Sequence, residues 1–249
     1  MNLYENERID YVNDSLSLIQ KTDGLTFGTD ALLLAGYICG KYKHGIEIGG
    51  GSGIISMLLL TRSKVERIHA VEVQKEYAAL IGRNAEYNGL SDRLVPVHAD
   101  IREYKSDSEC DIIFSNPPYM KASSGAHNDT DAKTAARHEI HGDIGSIISA
   151  GARLLKYGGA FYAVYRPDRL CDIIFAMRDA GVEPKRMTFV HASEKKEPSM
   201  VLIEARKGGK SGINVTRPLI IYKDASHKEY SDDMNFIMEN GAFSPEYKR

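Results

Sequence analysis

The stretch of this 249-residue chain with the most specific chemistry is Ser115-Asn116-Pro117-Pro118-Tyr119. Neither proline can donate to a sheet ladder, so the apolar run Cys110 to Ser115 ahead of them must end as a strand there. A residue that precedes a proline is pushed to extended backbone. Asn116 and Pro117 are both restricted in this way, and the segment is stiff. It can present two fixed acceptors, the side-chain carbonyl of Asn116 and the backbone carbonyl of Pro117, with no competing N–H from Pro117 or Pro118. Two converging acceptors suit an –NH2 group. The lone pair of an aromatic or amide nitrogen is delocalised, and hydrogen bonds from both of its protons localise that pair and aim it, a gain of positioning and preorganised electrostatics. Tyr119 offers a flat face for stacking a flipped base, worth about 1–3 kcal/mol. Asn116, Pro117 and Tyr119 are therefore the candidate catalytic residues.

A second motif, Glu47-Ile48-Gly49-Gly50-Gly51-Ser52-Gly53, follows a strand and precedes a helix. Glycines let the backbone turn tightly and approach a ligand without a Cβ in the way, and the helix behind them offers unpaired N–H groups. A dinucleotide fingerprint would read G-x-G-x-x-G. Counted from Gly49, its last position falls on Ile54, so that fingerprint fails. The spacing is G-x-G-x-G, with an acid two residues before the first glycine. This stretch resembles the glycine motif of class I S-adenosylmethionine-dependent methyltransferases. The resemblance implies that S-adenosyl-L-methionine lies against Gly49, Gly51 and Gly53, with Glu47 facing its methionine end, and that its sulfonium methyl meets the amine held at Asn116.

Two further acids close the next strands. Glu72 ends His69-Ala70-Val71-Glu72, where a carboxylate can accept two hydrogen bonds from ribose hydroxyls, and Val73 beside it can pack on an adenine face. Asp100 ends the third strand, where it can accept from the cofactor's adenine amino group while the Ile101 N–H donates to the ring. Singly, each acid reads as well as a solvated strand end. Together with the glycine loop they mark the carboxyl ends of consecutive parallel strands, where open α/β sheets bind ligands.

The elements that must position these residues follow from apolar runs of strand length alternating with helical patterns between about His44 and Arg206, which argues for a mostly parallel sheet with helices on both faces. An extended lead-in or hairpin spans Arg8 to Ile19. A helix runs from Thr29 to Tyr42, with Thr29 as its N-cap and Asp30 near the positive end of its dipole. Strands are expected at Gly45 to Ile48, Arg67 to Glu72, Leu94 to Ala99, Cys110 to Ser115 and Ala160 to Tyr165. Lys185 to His191 and Met200 to Ala205 form a closing antiparallel pair. Helices follow the glycine loop through Leu60, and span Lys75 to Tyr87, Ile144 to Leu155 and Pro167 to Asp179. Lys121 to Gly142 lacks periodicity and is a candidate substrate loop. Past Tyr222 the chain is charged and weakly patterned.

At this level the chain resembles the amino-methylating class I methyltransferases, which act on adenine N6, guanine N2 or the glutamine of release factors. Leu154-Leu155-Lys156-Tyr157-Gly158-Gly159 is similar to the turn before their fifth strand. Phe27-Gly28-Thr29-Asp30-Ala31-Leu32-Leu33-Leu34-Ala35, Ala136-Arg137-His138-Glu139-Ile140, Lys196-Glu197-Pro198-Ser199-Met200-Val201-Leu202-Ile203-Glu204 and Arg217-Pro218-Leu219-Ile220-Ile221-Tyr222 resemble the family that methylates adenine 37 of a valine tRNA. One departure is Gly50, where related proteins usually carry a polar or larger residue. The resemblance implies a Rossmann-like class I fold, a mostly parallel seven-stranded sheet with helices on both faces and an antiparallel closing strand. It also implies a helix beginning at Thr29 that packs over the cofactor site, with Thr29 and Asn116 among the cofactor contacts, and a tRNA substrate. The alternatives are a release-factor glutamine methyltransferase or another rRNA or DNA amino-methyltransferase; the glutamine enzymes usually carry a separate N-terminal helical domain, for which about 40 residues ahead of the first core strand leave little room.

Composition fits this reading. A net charge of −2 makes any nucleic-acid face local, and Lys185-Arg186, Lys195-Lys196, Arg206-Lys207, Lys210 and Arg217 are candidates for phosphate contacts or for an ordinary solvated face. Cys39, Cys110 and Cys171 form neither a metal pattern nor a disulfide framework and read as buried thiols. No apolar run approaches the roughly 18 residues of a membrane span, and the polar start is no signal peptide. The expected organisation is an N-terminal extension and helix (1–43), a catalytic domain (44–222) and a tail (223–249), in a metal-free, cytoplasmic protein for which a monomer is favoured.

Overall fold

The computed structural model describes residues 3–22, 27–117 and 144–248. Pro118, Tyr119 and the 121–142 segment lie outside these. The chain opens with a hairpin, β1 (Glu7–Asn13) and β2 (Leu16–Lys21). Its turn is set by the Asn13 side chain, which accepts the Ser15 N–H at 3.0 Å, an Asx turn. Next comes α1 (Thr29–Tyr37). It ends earlier than the expected Tyr42 because Ile38 is extended and Gly40 takes φ +92°, a conformation that favours glycine, which turns the chain into the first sheet strand.

Seven principal strands build the main sheet: β3 (Tyr42–Ile48), β4 (Val65–Glu72), β5 (Leu94–His98), β6 (Cys110–Ser115), β7 (Leu155–Tyr165), β8 (Val182–His191) and β9 (Pro198–Lys207), in the order β8-β9-β7-β6-β3-β4-β5. β9 is antiparallel to its two neighbours, β7 and β8, and the other six strands all run in one direction. Two dipeptide strands, β10 (Asn214–Val215) and β11 (Leu219–Ile220), pair with β8 and extend the seven to nine. The register keeps the carboxyl ends level: Ile48 pairs with Val71 and with Ser115, and Glu72 with His98. The residues that follow, Gly49, Val73, Ala99 and Asn116, therefore leave the sheet along one edge.

Strand side chains alternate between two cores with period two. Ile112 and Phe114 of β6, and Ala160, Tyr162 and Val164 of β7, face α1 and α2 (Ile54–Thr61), with Ile81 and Ala85 of α3 (Lys75–Tyr87) in the same cluster. Ile113, Phe161 and Ala163 face α4 (Ile144–Leu154) and α5 (Leu170–Asp179) on the other side. Residues 54 to 60 of α2 are all buried, as befits a helix apolar on every side. Each buried Phe or Leu contributes about 1.5–3 kcal/mol.

The weakly patterned stretch past Tyr222 holds a helix, α6 (Asp232–Asn240). Ser231 caps it by accepting the Met234 N–H at 3.1 Å, and Gly241 ends it at φ +61°. Met234, Ile237, Phe243 and Tyr247 are buried in the α1 cluster, and the Phe243 ring meets Tyr37 edge-on at 5.3 Å. This segment is part of the core. Of the three cysteines, Cys110 is buried, but Cys39 is half-buried and Cys171 exposed on α5, which corrects the expectation of three buried thiols.

Candidate active site

At the carboxyl edge of β3 the chain enters the glycine loop. Gly49, Gly51 and Gly53 take φ of +72°, +53° and +84°, where a side chain is strained. A Cβ built on Gly49 or Gly51 would meet no atom of the described residues within 4 Å, so the loop presents bare backbone on that side. Gly50 faces the other way. A Cβ there would come within 2.8 Å of the Ile81 side chain and 3.3 Å of Ala70, so glycine at this position lets α3 pack close beneath the loop.

Two buried carboxylates stand at the loop, and one of them holds it. Glu72, 5% exposed, accepts the Gly51 N–H at 3.0 Å on one oxygen and the Gln74 N–H at 2.9 Å on the other. Each oxygen keeps a lone pair for a further donor. Glu47 lies below, 1% exposed, and accepts from the Ser56 hydroxyl at the first turn of α2. Burial pushes its carboxyl up to about 8, against which the Ser56 hydrogen bonds act only in part, and the nearby Glu72 charge adds to the rise. At neutral pH this acid is mostly protonated. Glu47 thus ties the end of β3 to the start of α2.

The neighbouring strand ends bring Val73, half-buried, with its carbonyl 3.2 Å from His98 Nε2, and Asp100 and Ile101 after β5. The Asp100 carboxylate accepts the Arg102 backbone N–H at 2.9 Å and is forked by the Arg102 guanidinium; Ile101 is buried.

At the end of β6, Ser115 Oγ donates to the Ile48 carbonyl at 2.9 Å and fastens this strand end beside the glycine loop. Asn116 follows. Its Nδ2 donates to Asp30 Oδ2 at 2.9 Å, and its Oδ1 is buried with no hydrogen-bond partner among the described residues. A buried acceptor left unpaired costs about 1–3 kcal/mol, so this one marks a place where a donor is wanted. Pro117 is buried behind it. Asp30 is itself held, its Oδ1 accepting the Ala31 N–H at 2.8 Å at the start of α1. Thr29 is the first residue of that helix and Gly28 its N-cap, with no side-chain capping bond. The expected capping role of Thr29 is corrected by the extended Gly28 ahead of it.

The structure therefore brings Gly49, Gly51, Gly53, Glu47, Glu72 and Asn116 together on adjacent strand ends, with Val73, Asp100 and Ile101 continuing the same edge. Sequence reasoning assigned Asp30 only to the helix dipole. Its partner lies 86 positions away, and no local pattern announces the pair. Ser56, which donates to Glu47, and Asn84, whose Nδ2 donates to the Ser52 carbonyl at 3.0 Å, were also missed.

Most of the basic residues considered for phosphate contacts are already engaged. Arg186 is buried, bonding Tyr37 O at 2.9 Å, Tyr247 O at 2.7 Å and Glu204 at 3.0 Å. Lys185 donates to the carbonyls of Lys210 and Gly212, Lys207 to Leu155 O, Arg206 to Glu204, and Arg217 to Asp233 and Glu246. Lys195 and Lys196 are exposed in the β8–β9 turn, on the edge that carries Asn116. Among the described residues no helix is long and apolar enough to cross a membrane, and no group of three or more His, Cys, Asp or Glu side chains could hold a metal.

A glycine cradle on the first strand, braced by the acid of the second and flanked by a buried amide on the fourth, is the arrangement of a methyl-transferring α/β enzyme, and residues 22–174 match the methyltransferase small domain family; the chain belongs to it. Its relatives include proteins named tRNA1(Val) (adenine(37)-N6)-methyltransferase. The one from Porphyromonas gingivalis is 29% identical over 232 residues, covering 89% of this chain and 85% of the relative. That from Aeromonas hydrophila is 29% identical over 183 residues, covering 73% and 76%. The fold is shared with the crystal structure of a predicted O-methyltransferase from Agrobacterium tumefaciens (TM-score 0.69, 20% identity, covering 86% of this chain and 98% of that one). It is shared as well with that of M. jannaschii TYW2 in complex with AdoMet (TM-score 0.58, 13% identity, covering 83% and 88%).

Proposed function

We propose that this chain transfers a methyl group from S-adenosyl-L-methionine to the exocyclic amino group of an adenine in tRNA, namely N6 of adenine 37 in a valine tRNA, as the names of its relatives describe for them. The observation that carries the reading is the buried, unpartnered Asn116 Oδ1 beside the open glycine loop.

The residues present fit the cofactor. Gly49 and Gly51 leave open space where a Cβ would stand, and Glu72 keeps lone pairs for ribose hydroxyls while it braces Gly51. Val73, Asp100 and Ile101 would line the adenine end, Gly53 and Glu47 the methionine end, and α1, from Thr29, would cover the site. When bound, S-adenosyl-L-methionine supplies a methyl group activated by a positively charged sulfur. Asn116 Oδ1 and the Pro117 carbonyl would accept from the two protons of the substrate amine, so that its lone pair is localised and aimed. No strong base is required of the chain, because the methylated amine is acidic and loses a proton to water. Tyr119 would stack the flipped base.

The test is methyl transfer from labelled S-adenosyl-L-methionine to bulk tRNA, to a release factor and to neither. Label in tRNA, recovered as N6-methyladenosine, supports the reading. Label in the release factor alone would replace it with glutamine methylation.

A further inference from the structure

We infer that Asp30 is the positioning residue that decides which way round the Asn116 amide stands, and so which atom meets the substrate amine; this rests on the amino-methylating reading above.

The oxygen and nitrogen of an asparagine amide are nearly alike in size, and their placement follows from the hydrogen bonds around them. Stiff backbone at Asn116 and Pro117 aims the side chain but does not choose between its two orientations. The choice matters. With the oxygen outward the site accepts from an –NH2 group. Reversed, it presents a donor, which suits a keto oxygen and repels the amine it should grip.

Asp30 makes that choice. Its Oδ2 takes the Asn116 Nδ2 proton at 2.9 Å, a charge-assisted bond. A reversed amide would set Oδ1 against the carboxylate, acceptor against acceptor, and lose that bond, a bias of roughly 10- to 100-fold for one orientation. The carboxylate is steadied by its second oxygen, which accepts the Ala31 N–H at 2.8 Å. Gly28 leaves it room, since a Cβ there would stand 2.8 Å from Asp30 Oδ1. A helix-dipole role alone would need no contact with Asn116, yet the amide is turned toward Asp30 and its oxygen is left buried and unpaired.

The experiment uses the full chain with D30A, N116D and the exchange D30N/N116D, measuring kcat and KM for methyl transfer and cofactor Kd by calorimetry, with thermal melts to confirm folding. D30A should lower kcat 10- to 100-fold with cofactor Kd within about threefold of wild type. N116D faces two carboxylates and should fall further. The exchange restores one amide and one carboxylate: the amide at position 30 donates, and the far oxygen at position 116 again accepts. It should recover at least tenfold over N116D. An exchange no better than N116D, or D30A with wild-type kcat, overturns the proposal. If wild type labels a release factor and not tRNA, the substrate reading fails, while the same variants assayed on that glutamine amide still decide the role of Asp30. Without any substrate, the Asn116 side-chain 15NH2 resonance should shift in D30A; an unchanged resonance also overturns it.

Discussion

Asn84 treats the backbone of Ile19 as a neighbouring strand would: its Oδ1 accepts the Ile19 N–H at 2.7 Å and its Nδ2 donates to the Ile19 carbonyl at 3.1 Å. The same Nδ2 also donates to Ser52 O at 3.0 Å. One turn on, Asn88 repeats the pairing with Ser17, at 3.1 and 2.8 Å. Residues four apart share a helix face and residues two apart share a strand side, so α3 and its C-cap Asn88 dock β2 by two amides and tie the hairpin to the glycine loop.

Asn84→Ala leaves buried backbone groups of Ile19 and Ser52 unpaired. At about 1–3 kcal/mol for each group, stability should drop by at least about 3 kcal/mol in urea unfolding, and cofactor affinity should weaken as the loop loses its tie at Ser52. Asn88→Ala, at a less buried site, should cost less. Equal losses would mean that burial does not set the scale.

Glu47 gives a pH signature. Its carboxyl sits near 8 in the folded chain, against 4.5 for a solvated glutamate. The raised value means that the folded state holds the proton longer. Stability is undiminished below about pH 4.5 and is eroded as pH climbs toward 8, on the order of 3 kcal/mol by pH 7. Glu47→Gln should match wild type at pH 4.5 and exceed it increasingly from pH 5 to 8 in thermal melts. A difference independent of pH would remove the buried acid as its cause.

Glu72→Ala removes the acceptor for the Gly51 and Gln74 amides, and S-adenosyl-L-methionine affinity should fall at least tenfold by calorimetry, about 1.4 kcal/mol. Asp100→Ala should also weaken binding, by a smaller factor, because Arg102 already shares that carboxylate. Unchanged affinity in either variant rejects the role assigned to it.

Arg186 and Lys196 should separate structural from RNA-facing charge. Arg186→Ala breaks a buried pair with Glu204 and should cost about 3–5 kcal/mol of stability. Lys195→Ala with Lys196→Ala should leave the melting temperature alone, weaken tRNA binding, and flatten its salt dependence. A stable Arg186→Ala with weakened tRNA binding would reverse the assignment.

How much of this could be read in the sequence depended on the range of the interaction. The end of β6 at Ser115 was legible because two prolines stop a strand, and Lys75–Tyr87 because its apolar face is periodic and Asn88-Gly89 ends it. Arg186 is buried while Lys185 beside it is half-buried, so the basic pair is not one patch, and the register shift between Pro184 and Arg186 breaks the period-two alternation that would have announced it. α6 was hidden because Asp232, Asp233 and Asn235 dominate a short helix with two fully buried residues. The Asp30 contact with Asn116 and the amide docking of β2 are long-range and polar, and neither leaves a local pattern.

Asn116 as the grip on the substrate amine is the point on which the proposed chemistry turns. Steady-state turnover of Asn116→Ala on tRNA, paired with calorimetry of S-adenosyl-L-methionine binding, probes it without an intermediary. A grip lost at Asn116 should lower kcat by about 10³-fold, the scale of losing a preorganised acceptor, with cofactor Kd within threefold of wild type. Turnover that survives, or a cofactor Kd that collapses in step with kcat, would contradict it.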